Sequence, residues 1–246
     1  DSAFANWLLA QHEIVVRAAV IRWFDERRAA PELALRAVDL RLVNQGSRHR
    51  LGLRAQPPAE FAAPVDLRAD LRGRDFGRLD DWRGQIYLDA GNTDLAVWRQ
   101  WVDYPLELPQ GRGGLRLWAE FEGMRLAGFT GDLTLEDLRI RLREDLPMID
   151  LVSLRGRIAA RLPADGFEVT TTGLSLATRD DSRIGPADLR LAWHAAAHGE
   201  PARGELEASE LDLATLARLA GNLPFDAATR DRKSTRLNSS HGYQSR

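Results

Sequence analysis

The sequence predicts a mainly β protein: an extended, curved antiparallel sheet that forms an open apolar groove and carries a few short helices. Three observations lead there. About a dozen short runs alternate apolar and polar residues and are parted by turns rich in Gly, Asp and Pro, the spacing of an all-β architecture. Long helical periodicities are missing, which removes the α/β class with its parallel sheet. Most strands have one apolar face, yet the helices are too few and too short to cover so large a sheet. A contiguous exposed apolar surface calls for a ligand or partner, so a trough suits the pattern better than a compact sandwich.

Taken in order, Ser2 to Gln11 forms a short helix with Phe4, Trp7 and Leu8 on one side, and Glu13 to Phe24 is a strand rich in Val and Ile. After Pro31 comes LALRAVDLRLV, where Leu33 and Leu35 are out of phase with Val38, Leu40 and Leu42. One extra residue near Arg36-Ala37 does this, which predicts a bulge. Asn44 to Ser47 is a turn, and Arg50 to Ala55 returns as the partner strand. Beyond Pro57-Pro58, Val65, Leu67, Ala69 and Leu71 alternate without a fault against Asp66, Arg68, Asp70 and Arg72. That is a strand with one apolar face and one face of opposed charges.

Gln85 to Leu88 leads into the stretch around which the chain is organised, Leu88 to Glu122. Thr93 or Asp94 caps a helix whose face is Leu95, Trp98 and Val102, and Pro105 stops it. Gly111, Gly113 and Gly114 then make a tight turn into a strand with Leu115, Leu117, Ala119 and Phe121 on one side. The same grammar returns at LEASELDLATLARLAGNLPF, with Asp212 as cap, Leu213, Leu216 and Ala220 as helix face and Pro224 as stop. Between the two copies the expected strands are Met124 to Phe129, Asp132 to Leu142 (with Leu133 and Leu135 inward), Leu151 to Leu162, Phe167 to Ala177, Ala187 to Ala195 (with Leu189 and Leu191 inward) and Arg203 to Ala208. The turns carry Gly131, Ala164 to Gly166, Asp180 to Ser182 and Gly199 to Pro201.

Composition excludes several functions. The absence of cysteine removes disulfide scaffolds, thiol nucleophiles and thiolate metal sites. No apolar run reaches the length of a membrane-spanning helix. Residues 231–246, DRKSTRLNSSHGYQSR, change composition abruptly and resemble a translated sequencing-library adapter; they are expected to be an artefactual or disordered tail, leaving 1–230 as one β-groove segment. That tail holds four Lys/Arg and one Asp, so without it 34 − 4 cations face 36 − 1 anions, a net charge of −5. A negative chain argues against a general nucleic-acid partner.

Candidate chemistry is sparse. His194 and His198 have zinc-pair spacing, but on a strand running into a turn they diverge, and HExxH is missing. The acidic pairs Asp80-Asp81, Glu136-Asp137, Glu144-Asp145 and Asp180-Asp181 are adjacent residues in strands or turns, which do not converge across a cleft as a glycosidase requires. GRGGLRL lacks the Lys-Ser/Thr of a phosphate loop, and no GxSxG elbow occurs. No catalytic residue, metal ligand or cofactor is therefore assigned. Trp118, on the charged side of its strand, is expected to pack beneath a loop or the helix carrying Trp98 and Trp101. The competing reading makes it an aromatic platform for sugar.

The run from Asn6 to Pro58 resembles the YhdP-type branch of the AsmA-like proteins, as do WRGQIYLDAGNTDLAVWRQW, LPQGRGGLRLWAEF and LDLATLARLAGNLP. The resemblance extends over Asp1 to Arg230 through many dispersed residues. It implies a bridge-like lipid transporter: a periplasmic segment of an inner-membrane-anchored protein, the anchor itself not in this stretch, conducting phospholipid acyl chains toward the outer membrane with no catalytic residues. The groove is then expected to be lined by Val65, Leu67, Ala69, Leu71, Leu115, Leu117, Ala119, Phe121, Leu133, Leu135, Leu189 and Leu191. The alternatives are a structural β-scaffold of the envelope, its apolar faces packed together, and a carbohydrate-binding or carbohydrate-acting β-sandwich.

Overall fold

A computed structural model describes residues 2–26, 28–75, 77–103, 106–123, 125–180, 183–196 and 201–209. Helix α1 (Ser2–Ala10) precedes the strands β1 (Glu13–Trp23), β2 (Leu33–Gln45), β3 (Arg48–Gln56), β4 (Val65–Arg72) and β5 (Arg83–Asp94). A four-residue helix, α2 (Leu95–Trp98), follows β5. Then come β6 (Glu107–Glu122), β7 (Arg125–Arg141), β8 (Ile149–Arg161), β9 (Gly166–Thr178), β10 (Arg183–His194) and β11 (Arg203–Ala208). The strands form one eleven-stranded sheet in chain order, and every neighbouring pair is antiparallel. Short turns between consecutive strands leave little choice of topology, since they can join only antiparallel neighbours. The first of them, between β2 and β3, turns on Gly46 at φ +61°. Among the described strands β1 and β11 are the two edges and do not pair with each other, so the sheet is not closed.

Bulges bend it. The predicted one is present at Ala37 (φ 45°), where the β2–β3 register slips between Arg36 and Asp39. Asp39 accepts a hydrogen bond from the backbone N–H of Ala18, itself at φ 49° in β1. Asn92, Asp137 and Gly173 add left-handed residues in β5, β7 and β9. An unpaired extra residue increases local twist and coils the strand, so five such sites spread over five strands curve a sheet on which no second layer packs among the described residues.

Two expectations about β6 and β7 are corrected. Gly111, Gly113 and Gly114 do not form a turn; they lie inside β6. A Cβ on Gly113 (φ +145°) would come within 2.0 Å of the Thr134 carbonyl oxygen, so β7 approaches too closely for any side chain. Gly131 is likewise not a turn but the middle of the 17-residue β7, paired with Leu117 on one side and Ile158 on the other.

The two helices cap opposite ends of the strands. α1 is tied by Asn44, whose side-chain amide donates to the Leu8 and Gln11 carbonyls at 2.9 and 2.6 Å. His49 bridges Asn44 and the Gly73 carbonyl and stacks on Trp82. At the other end Asp94, not Thr93, caps α2, accepting from the Ala96 and Val97 N–H groups. Leu95 and Ala96 pack on a core of Leu108, Leu135, Leu138 and Leu151. The predicted helix face changes here: α2 ends at Trp98, Val102 is 46% exposed, and Trp101 is buried instead. Trp101 packs against Phe61 and Trp98 and donates its indole N–H to the Pro31 carbonyl at 3.1 Å. The second helical module, Asp212 to Pro224, lies outside the described residues.

Candidate functional site: an uncovered apolar face

Because side chains alternate along each strand, an in-phase register carries one face across the whole sheet. Leu42 pairs with Leu51, which pairs with Ala69, Ile86, Ala119, Phe129, Ala160, Val169, Leu191 and Leu206 in turn. With Ile14 of β1 opposite Leu42, this row is apolar on all eleven strands. The next row on the same face runs from Val16 and Leu40 through Leu53, Leu67, Leu88 and Leu117 to Gly131, Ile158, Thr171, Leu189 and Ala208. Ten strand spacings of ~4.8 Å make each row about 48 Å long, measured across the strands.

No second sheet covers this face among the described residues; only the α2 end has a closed core. The large side chains on it are accordingly only partly buried. Val65, Leu67, Leu71, Leu115, Leu117, Phe121, Leu133, Leu189 and Leu191 all fall in that class, while Ala69 and Ala119 are buried by their larger neighbours. The register places all twelve predicted lining residues on one face. Leu135 differs in surroundings: at 6% exposure it belongs to the closed core beneath α2, and Leu133 borders that core. Leu88, Ile86, Phe129, Ile158 and Val169 stand in the same rows of that face and were not among the twelve. Their alternation is as regular as that of the residues chosen.

The opposite face is a lattice of ions. Asp39, Arg54, Asp66, Asp89, Arg116, Asp132 and Arg157 stand in register across seven strands. Arg54 meets Asp66 at 3.1 Å, Arg116 meets Asp89 at 3.3 Å and Arg157 meets Asp132 at 2.6 Å. Hydrogen bonds from Arg68, then Arg54, hold the Asp66 carboxyl below the usual carboxylate range. Arg48, Arg157 and Arg190 do the same for Asp70, Asp132 and Glu168. The two faces of the sheet therefore differ sharply in the ligands they can accept.

The catalytic candidates do not assemble. Glu136 pairs with Arg155, Asp137 with Arg179, Asp145 with Arg143 and Asp81 with Arg78, each on its own stretch of surface. His194 is exposed at the end of β10, His198 lies outside the described residues, and no group of metal-ligating residues occurs among those described. Trp118 does not pack beneath a loop or α2. It stands on the ionic face, 39% exposed, with its ring tilted against Tyr87 at 5.3 Å. No described helix is long and apolar enough to cross a membrane.

No curated protein and no solved structure matches this chain. The YhdP protein family matches residues 1–236, which includes the first six residues of the segment expected to be a tail. A match over nearly the whole length, on a sheet of the expected class, shows the family: this chain belongs to the YhdP proteins.

Proposed function

We propose that the chain is a non-enzymatic segment of a Gram-negative envelope protein that conducts phospholipids between the inner and outer membranes along the apolar face. The observation that carries this reading is the row from Ile14 to Leu206, apolar on every strand and without a covering layer among the described residues. Such a surface is costly in water unless something apolar occupies it. Acyl chains fit because the row is continuous and non-directional, whereas a folded partner protein needs a patch with a polar rim. The bordering ionic face keeps the outside of the trough in water. Family membership supports a lipid-transport role, and on this reading the segment works in the periplasm.

Leu117 is the place to test it, at the centre of the sheet between Leu88 and Gly131. Leu117→Asp puts a carboxylate on the path; an empty trough hydrates it, but a sliding chain must strip that water, which costs several kcal/mol or more. Arg116→Asp is a poor control, because it places a third carboxylate in register with Asp89 and Asp132. Thr172→Asp is better: it lies on the ionic face beside Arg157. Wild type and Thr172→Asp should crosslink equally to a photoactivatable phospholipid, and Leu117→Asp several-fold less. Equal labelling of all three rejects the path. Outright unfolding of Leu117→Asp would show a packed core and favour a scaffold.

A further inference from the structure

A concavity lies mainly on the ionic face, lined by Trp118, Glu120, Arg161 and Glu168, and it is bordered by Phe129 and Ala160 of the apolar row. It has a volume of about 860 Å³ and lies where β6 to β10 approach the β8–β9 turn. Trp118, Thr130, Ala159 and Thr170 are in register across its floor, and Arg161 and Glu168 form the next row. Elsewhere on this face, most arginines are bound to a carboxylate across the strands. Here the pattern breaks. Among the described residues Arg161 and Arg125 make no ion pair, because the register partner of Arg161, Glu168, is taken by Arg190 at 2.7 Å. The Trp118 indole N–H also donates to none of the described residues, while Tyr87 braces one side of the ring.

We propose that this concavity binds an uncharged oligosaccharide. Its volume is that of a small-ligand site, and such sites combine an aromatic surface with a few placed polar groups. A pyranose presents a face of C–H groups to an indole and a rim of hydroxyls that both donate and accept. Trp118 supplies the ring, unpaired guanidiniums supply donors, and Glu120 and Glu122 supply acceptors. Those two carboxylates offset the charges of Arg125 and Arg161, and Glu168 is already balanced by Arg190, so the concavity holds no surplus of positive charge to select a phosphate. The site faces away from Leu117, so a segment that carries lipid on one side holds glycan on the other, a means of anchoring it among polysaccharide strands.

The test is titration calorimetry of the full chain with the tetramers of β-1,4-linked glucose and β-1,4-linked N-acetylglucosamine. Saturable binding of at least one is expected. Trp118→Ala should weaken it tenfold or more, Trp118→Phe less, and Arg161→Gln measurably, with melting temperatures near wild type. Leu117→Asp should bind sugar as wild type does, so failure of the lipid path and failure of this site are read separately. The proposal is overturned if the folded protein binds neither tetramer, if Trp118→Ala and Trp118→Phe both bind as wild type does, or if inorganic phosphate binds through Arg161 and displaces the sugar.

Discussion

Gly113 and Gly114 are neighbours in β6, yet only one of them has to be glycine. A Cβ at Gly113 meets the Thr134 carbonyl at 2.0 Å on a left-handed backbone, whereas a Cβ at Gly114 meets nothing within 4 Å. Gly113→Ala should lose about 1–3 kcal/mol to backbone strain alone, and the clash with β7 adds to it. Gly114→Ala should be neutral or slightly stabilising, because it restricts only the unfolded chain. Urea unfolding of the two variants checks this, and equal stabilities would deny the close approach of β6 and β7. Trp101, 3% exposed, is the other residue on which much depends. Trp101→Ala should cost about 3–5 kcal/mol. Trp101→Phe, which loses mainly the bond to Pro31, should cost nearer 1 kcal/mol.

At the scale of elements, α2 shows how little helix is needed to close one end of a trough. Four residues cannot hold a helix by hydrogen bonds alone. Asp94 therefore does two jobs, capping Ala96 and Val97 and pairing with Arg112 at 3.2 Å. The rest of the stability comes from the leucines beneath. Leu138, 2% exposed, should cost about 2–5 kcal/mol when cut to Ala. Val102→Ala, on an exposed position, should change the unfolding midpoint hardly at all. Comparable losses from both would restore the longer helix with Val102 on its inner face.

For the whole molecule, the ionic face makes stability depend on acid in a defined direction. Asp66, Asp70, Asp132 and Glu168 are all held below their ordinary values by arginine hydrogen bonds. A depressed carboxyl binds fewer protons folded than unfolded at moderately low pH. Its contribution is therefore complete above the ordinary values of 3.8 for Asp and 4.5 for Glu, and is lost as pH falls through the lower folded values. The melting temperature should be level from pH 7 to about pH 5 and fall below that, with added salt blunting the difference. Each pair is solvent-exposed and contributes little by itself; a flat acid limb would mean that the lattice contributes nothing together.

The sequence by itself determined the two-faced character of the sheet. Alternation in VDLRADLR and LRLWAEFE sets which side chains share a side, whatever those strands later pair with. Local chemistry also announced a cap at Thr93 or Asp94, of which the structure uses Asp94, and the bulge at Ala37, since a cap and a phase shift involve only adjacent residues. The unbroken parity of Phe129, Gly131, Leu133 and Leu135 was equally present, and it shows why Gly131 sits within a strand rather than at a turn. Only the tertiary structure decided that the apolar faces of eleven strands fall into rows, because register is a relation between segments far apart in the chain. It alone exchanged Val102 for Trp101, through a bond to Pro31 seventy residues away. It also made the Trp118 concavity, for a vacant guanidinium is defined by where its would-be partner's other arginine lies, and no single strand contains that information.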